Sequence, residues 1–100
     1  MAGKNTVALT DGNFESLVLQ GRGLAMVDFW ASWCGPCMAV GPVVDELATE
    51  YAGRVLVGKV DVDESRQVPG LFGITSIPTV LFFKDVAVVD SLVGARAKKQ

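Results

Sequence analysis

Apolar side chains change their period along this chain, and each change marks an element. Residues 24–29, Leu-Ala-Met-Val-Asp-Phe, form a nearly continuous apolar run holding one carboxylate, the pattern of a strand covered on both faces. After the second cysteine the spacing turns helical. Val40, Val43, Val44, Leu47, Ala48 and Tyr51 fall at i, i+3, i+4, i+7, i+8 and i+11, with Asp45, Glu46, Thr49 and Glu50 on the other side. This predicts a helix over about 34–51 with one apolar face. Pro42 lies inside it and cannot donate to the Met38 carbonyl, so a kink is expected there.

The flanking segments complete the pattern. Residues 6–9 read as a first strand, and Thr10 or Asp11 as the N-cap of a helix over 13–19 whose Phe14, Leu17 and Val18 face inward. Gly21-Arg22-Gly23 breaks that helix before the buried strand, which ends at Trp30. Gly53 closes the long helix, and residues 54–60 form the next strand. An irregular helix over about 63–71 follows, containing Pro69 and Gly70, and residues 79–83 and 88–93 pair as a hairpin. Strands alternating with helices and then an antiparallel pair predict an α/β domain spanning 1–100, a mixed central sheet with helices on both faces.

Composition narrows the chemistry. A chain of 100 residues buries about two-thirds of the surface its unfolded form exposes, enough for one core. Half of its residues are hydrophobic, yet the longest uncharged apolar stretch, 71–83, is broken by Gly73 and Pro78 and falls short of the roughly 20 residues a spanning helix needs. Residues 1–5 lead into a strand rather than an apolar export core, so a cytoplasmic protein with no membrane association is expected. The formal charge of −2 offers no general attraction to nucleic acid, and Arg96, Lys98 and Lys99 read as a solvated helix face. Histidine is absent, which removes histidine-based triads, Cys-His nucleophiles and imidazole metal sites. Neither a metal nor a cofactor is expected, and the chain is expected to be a monomer.

Chemistry therefore rests on thiols, carboxylates, lysine or backbone. Both cysteines, Cys34 and Cys37, sit where the buried strand ends and the long helix begins. Free N–H groups and the positive end of the helix dipole stabilise a thiolate at Cys34, and a thiolate is the nucleophile of disulfide exchange. Cys34 is thus the candidate nucleophile and Cys37 the candidate resolving thiol. Between them, Gly35 and Pro36 shape the turn, since Pro36 gives up an N–H that the first helical turn does not need. A Cys-x-x-Cys pair alone also fits half of a zinc site or two structural thiols. Asp28 is the anomalous charge. Burial raises the pKa of a carboxyl and suits it to proton exchange with Cys37 near neutral pH. Lys59, on a neighbouring strand, would offset part of that burial, while a structural ion pair or an outward-facing Asp28 is the alternative.

The run Trp33-Cys34-Gly35-Pro36-Cys37 after a buried strand, with Ile77-Pro78-Thr79 downstream, resembles the active-site signature of the thioredoxin family, with flanking similarity over about residues 7–95. The resemblance implies the thioredoxin fold and a thiol–disulfide oxidoreductase that reduces disulfide-containing protein substrates and is recharged by thioredoxin reductase. A binding module that uses the same groove without redox turnover is the other function open to such a fold. Also implied are an Asp28–Lys59 pair, a cis Pro78 packed beside the disulfide, and backbone near it that pairs with an extended substrate segment. Trp33, Ile77, Val62, Val93 and Gly94 would form the apolar rim, although Val62 and Val93 suit a core equally well.

Three features depart from the family pattern. Met38 stands where a basic residue often follows the second cysteine, and Asp85-Val86 where an Asn-Gly or Asp-Gly turn is common. Gln100 falls just as a final helix is due after Gly94, so an incomplete domain with apolar surface exposed on one sheet face is expected.

Overall fold

The computed structural model describes residues 4–21, 23–84 and 87–94. Along the chain lie β1 (Val7–Leu9), a short π-helix (Glu15–Leu19), β2 (Leu24–Trp30), α1 (Gly35–Glu50), β3 (Val55–Asp61), α2 (Gln67–Leu71), β4 (Thr79–Lys84) and β5 (Ala87–Val93). The strands form one five-stranded sheet in the order β1-β3-β2-β4-β5. β3 runs parallel to both β1 and β2, whereas β4 is antiparallel to β2 and to β5. This is the mixed α/β sheet that the alternation of periods predicts.

β2 lies at the centre, which explains its apolar run. Ala25, Met26, Val27, Asp28 and Phe29 are all buried because both faces of the strand are covered. Successive side chains point to opposite faces. Ala25, Val27 and Phe29 join Leu9, Phe14, Val18, Val60, Leu81 and Phe83 in one core, where the rings of Phe14, Phe72 and Phe83 pack with centroids 5.2–5.7 Å apart. Met26 joins Val40, Val44, Ala48, Val57 and Val80 in the other, under α1. Asp28 shares the parity of Met26, so its carboxyl belongs to the face that α1 covers.

Local hydrogen bonding sets where the helices begin. The Thr10 carbonyl accepts the N–H groups of Asn13 and Phe14, at 3.2 and 3.0 Å, and starts the first helical turn. That helix then widens, since the Gln20 N–H reaches back five residues to the Glu15 carbonyl at 2.8 Å. A wider turn advances less per residue, so Phe14 and Val18 are buried while Leu17, expected inward, is 41% exposed. Asp11 does not cap this helix. Its carboxylate accepts the N–H groups of Gln67 and Val68, at 3.1 and 2.9 Å, and caps α2, an element far away in sequence. α2 also starts later than the residue pattern implies, because Asp61 folds residues 61–65 into a turn. The Asp61 carboxylate accepts the Asp63 N–H at 2.9 Å, and its carbonyl accepts the Ser65 N–H at 2.9 Å.

α1 continues through Pro42 as one helix. Its buried positions are Cys37, Val40, Gly41, Val44 and Ala48. Tyr51, assigned to the apolar face, instead caps the helix and is 39% exposed, with the Arg54 guanidinium 5.3 Å from its ring centroid. Close packing of β1 on β3 depends on Gly58. A Cβ there would collide with the Leu9 side chain and lie 3.1 Å from the Val7 carbonyl oxygen. The Asp85-Val86 turn and the final helix expected after Gly94 lie outside the described residues. Among the described residues no helix is long and apolar enough to cross a membrane.

Candidate active site

The strand-to-helix junction gathers the two cysteines. After Trp30 the chain turns through Ala31, whose carbonyl accepts the Cys34 N–H at 3.1 Å, and Cys34 takes an extended conformation as the N-cap of α1. Pro36 occupies the first turn, where its missing N–H costs nothing. Cys34 and Cys37 are joined by a disulfide, with their Cα atoms 5.3 Å apart. The Cys37 N–H donates to the Cys34 sulfur at 3.2 Å. Ala31, Cys34 and Cys37 are buried together beneath the partly buried Trp30, Val62 and Ile77. Trp30, the last residue of β2, packs against this cluster without entering the groove beside Trp33.

Trp33 is the opposite case, 69% exposed beside two buried sulfurs. Its indole N–H donates to the Asp63 carboxylate at 2.8 Å, which fixes the ring over the groove. That groove, of about 190 Å³, is lined by Trp33, Val62, Pro69, Ile74 and Ile77 among others. The Ile77–Pro78 peptide bond is cis, and Pro78 is buried. Val93 and Gly94 do not line this groove. They reach the same region through the sheet edge, with Val93 paired to Thr79 and the Gly94 N–H donating to the Pro78 carbonyl at 2.7 Å. Gly94 has φ +86°, a left-handed conformation that glycine adopts freely.

Behind the disulfide lies a second cavity, of about 220 Å³, shared by Asp28, Cys37, Met38, Gly41, Asp45 and Lys59. Asp28 is 1% exposed, and among the described residues neither carboxyl oxygen has a hydrogen-bond donor. Burial pushes its pKa up from 3.8 to about 6, with the Lys59 charge working against that rise and the Asp45 charge with it. Lys59 stands directly across from Asp28 in the β2–β3 register. Its ammonium forms an ion pair with Asp45 at 3.3 Å, so Lys59 acts on Asp28 through space while touching another carboxylate. Asp45 in turn accepts the Thr6 hydroxyl at 2.7 Å. Met38, 49% exposed, lies at the edge of this cavity.

The residue pattern misses Asp45 and Asp63. Asp45 falls among the polar positions of α1, yet Cys37, Gly41 and Asp45 recur at every fourth residue and so share a stripe. That spacing was the available signal. Asp63 carries none, because only the turn at 61–65 brings it to Trp33. Among the described residues no group of three or more His, Cys, Asp or Glu side chains could hold a metal ion.

Comparison with known proteins agrees with this arrangement. The family model described as Thioredoxin matches residues 5–100. The chain is 50% identical over 98 residues to thioredoxin 2 of Chlorobaculum tepidum, covering 98% of this chain and 89% of that one. It is 43% identical over 97 residues to the thioredoxin of Pseudomonas aeruginosa, covering 97% and 90%. With thioredoxin 1 of Synechococcus elongatus it shares 50% identity over 91 residues, covering 91% and 85%.

Proposed function

The chain belongs to the thioredoxin family and is a thiol–disulfide oxidoreductase; from that premise we propose that Cys34 opens protein disulfides and Cys37 releases them. The observation that carries this reading is the position of the pair, with Cys34 capping α1 and its sulfur accepting the Cys37 N–H. In the reduced protein the same N–H and the helix dipole favour the Cys34 thiolate. That thiolate attacks a substrate disulfide, a bond forms to one substrate sulfur, and the other leaves with the electron pair as a thiolate. The product is a mixed disulfide.

Release needs a second thiolate. The Cys37 thiol passes its proton to the Asp28 carboxylate, attacks the Cys34 sulfur and expels the remaining substrate sulfur. Two electrons have then moved from the cysteine pair to the substrate, and the Cys34–Cys37 disulfide remains. Lys59 is the charge partner that limits the cost of burying Asp28. Gly35 and Pro36 hold the turn in which both sulfurs can meet. An extended substrate segment lies along Trp33, Val62 and Ile77, next to Pro78, with Val93 and Gly94 bounding the same edge.

The partners that follow are disulfide-containing proteins on one side and a thioredoxin reductase, which returns two electrons, on the other. A reducing carrier works where thiols are kept reduced, so the reading assigns the cytoplasm, and because both exchanging cysteines lie in one chain it assigns a monomer. The test is a Cys37→Ser variant incubated with a disulfide-containing protein such as insulin. It should accumulate a covalent adduct through Cys34 that a dithiol releases, whereas Cys34→Ser should form none. Adducts on Cys34→Ser but not on Cys37→Ser would reverse the roles.

A further inference from the structure

The Asp28 cavity contains a second carboxylate whose position gives it a part in the exchange. Asp45 reaches Lys59 from α1, and the contact is built on both sides. The Thr6 hydroxyl, 7% exposed just before β1, donates to Asp45 Oδ1 at 2.7 Å, and the same oxygen is 3.3 Å from Lys59 Nζ. Gly41, one turn before Asp45, has no side chain where α1 passes over the lysine. A Cβ there would lie 3.3 Å from Nζ, a tight contact that would push the ammonium aside by a few tenths of an ångström, so the lysine head packs directly against the helix at Gly41.

Asp28 meets few other charges. From β3 it faces Lys59, and from α1 it faces Cys37 and Asp45 across the cavity. On β4 its partner is the apolar Val80. Among the described residues the Asp28 oxygens have no hydrogen-bond donor, so the Lys59 charge that offsets their burial is the one already paired with Asp45.

We propose that Asp45 is a positioning residue for disulfide exchange: it holds the Lys59 ammonium in its own ion pair and thereby keeps Asp28 a strong base toward the Cys37 thiol. The inference rests on Asp28 accepting the Cys37 proton during release of the mixed disulfide. An ammonium free to swing onto Asp28 stabilises the carboxylate and weakens it as a base. Asp45 prevents this in two ways, by drawing the cation away and by adding a like charge across the cavity. The direction of the Asp45 effect on the Asp28 carboxyl, upward, agrees.

The experiment is stopped-flow reduction of a chromogenic aromatic disulfide by the reduced protein. The first coloured thiolate reports attack by Cys34 and the second reports resolution by Cys37. Followed over about pH 4 to 9, resolution should rise through an inflection set by ionisation of the base. In Asp45→Asn that inflection should move to lower pH and the plateau should slow roughly three- to tenfold, because a weaker base removes the thiol proton less well. Asp45→Glu, which keeps the charge, should restore the wild-type inflection. Thr6→Val leaves every charge in place and removes only the anchor of Asp45, and should shift the inflection the same way by less. A wild-type inflection in both Asp45→Asn and Thr6→Val, while Asp28→Asn still slows resolution, overturns the inference and leaves the role of Asp28 standing. If Asp28→Asn itself resolves at the wild-type rate, the assignment of Asp28 fails first.

Discussion

Asp28 shows how a single side chain can oppose the fold that contains it. The folded protein holds its proton up to a pKa of about 6, against 3.8 in water, so it binds the proton more tightly than the unfolded chain does. Stability from this group is therefore complete below the unfolded value and is lost as pH rises through the window between the two. The difference corresponds to about 3 kcal/mol by neutral pH, a large share of the stability of a small domain. Asparagine keeps the shape and cannot ionise. Asp28→Asn should thus be more stable than wild type by roughly 2–3 kcal/mol at pH 7 and nearly equal to it near pH 4, as read from urea unfolding at both values. Equal stabilities at both pH values would mean that Asp28 pays no desolvation cost in the folded protein. The sequence shows this anomaly, because one carboxylate within an apolar run stands out. It shows Asp45 only faintly, as a fourth-residue repeat with Cys37 and Gly41, and Thr6 not at all, since Thr6 meets Asp45 only once α1 is laid across the sheet.

At the scale of elements, periodicity located every strand and the long helix but not the helix boundaries that depend on distant partners. The clearest case is α2. Five residues containing Pro69 and Gly70 do not make a stable helix by propensity alone. What holds its start is Asp11, more than fifty residues earlier in the chain, which accepts two of its otherwise unpaired N–H groups. No local pattern could show that cap, and the same carboxylate next to a helical turn of its own pointed to the nearer helix instead. Asp11→Ala should therefore destabilise the protein by about 1–2 kcal/mol, the usual cost of losing a cap. The loss should appear in α2 rather than in the helix that follows Asp11 in sequence. Amide exchange in the variant distinguishes them, since faster exchange confined to residues 15–20 would assign Asp11 to the wrong helix.

For the whole molecule, the order of the strands determines which parts open together. β2 sits between β3 and β4 along its length and has a core on each face, so its amides are released only when both packed layers are lost. The short π-helix and α2 each rest on one face and are held by a few bonds at their ends. The active-site cysteines occupy the boundary between these regimes, fixed to β2 through Ala31 on one side and to the first turn of α1 on the other. Such a mounting keeps the two sulfurs in place while the groove near Ile77 stays open to a substrate strand. Native-state hydrogen exchange should accordingly show the amides of Val27, Asp28 and Phe29 exchanging at the global unfolding free energy, and those of residues 15–20 and 67–72 well below it. Subglobal exchange at Val27 to Phe29 would mean that the sheet can part at its centre without unfolding. In that case the rigid floor under the disulfide, on which the alignment of Cys37 with Asp28 depends, would be lost.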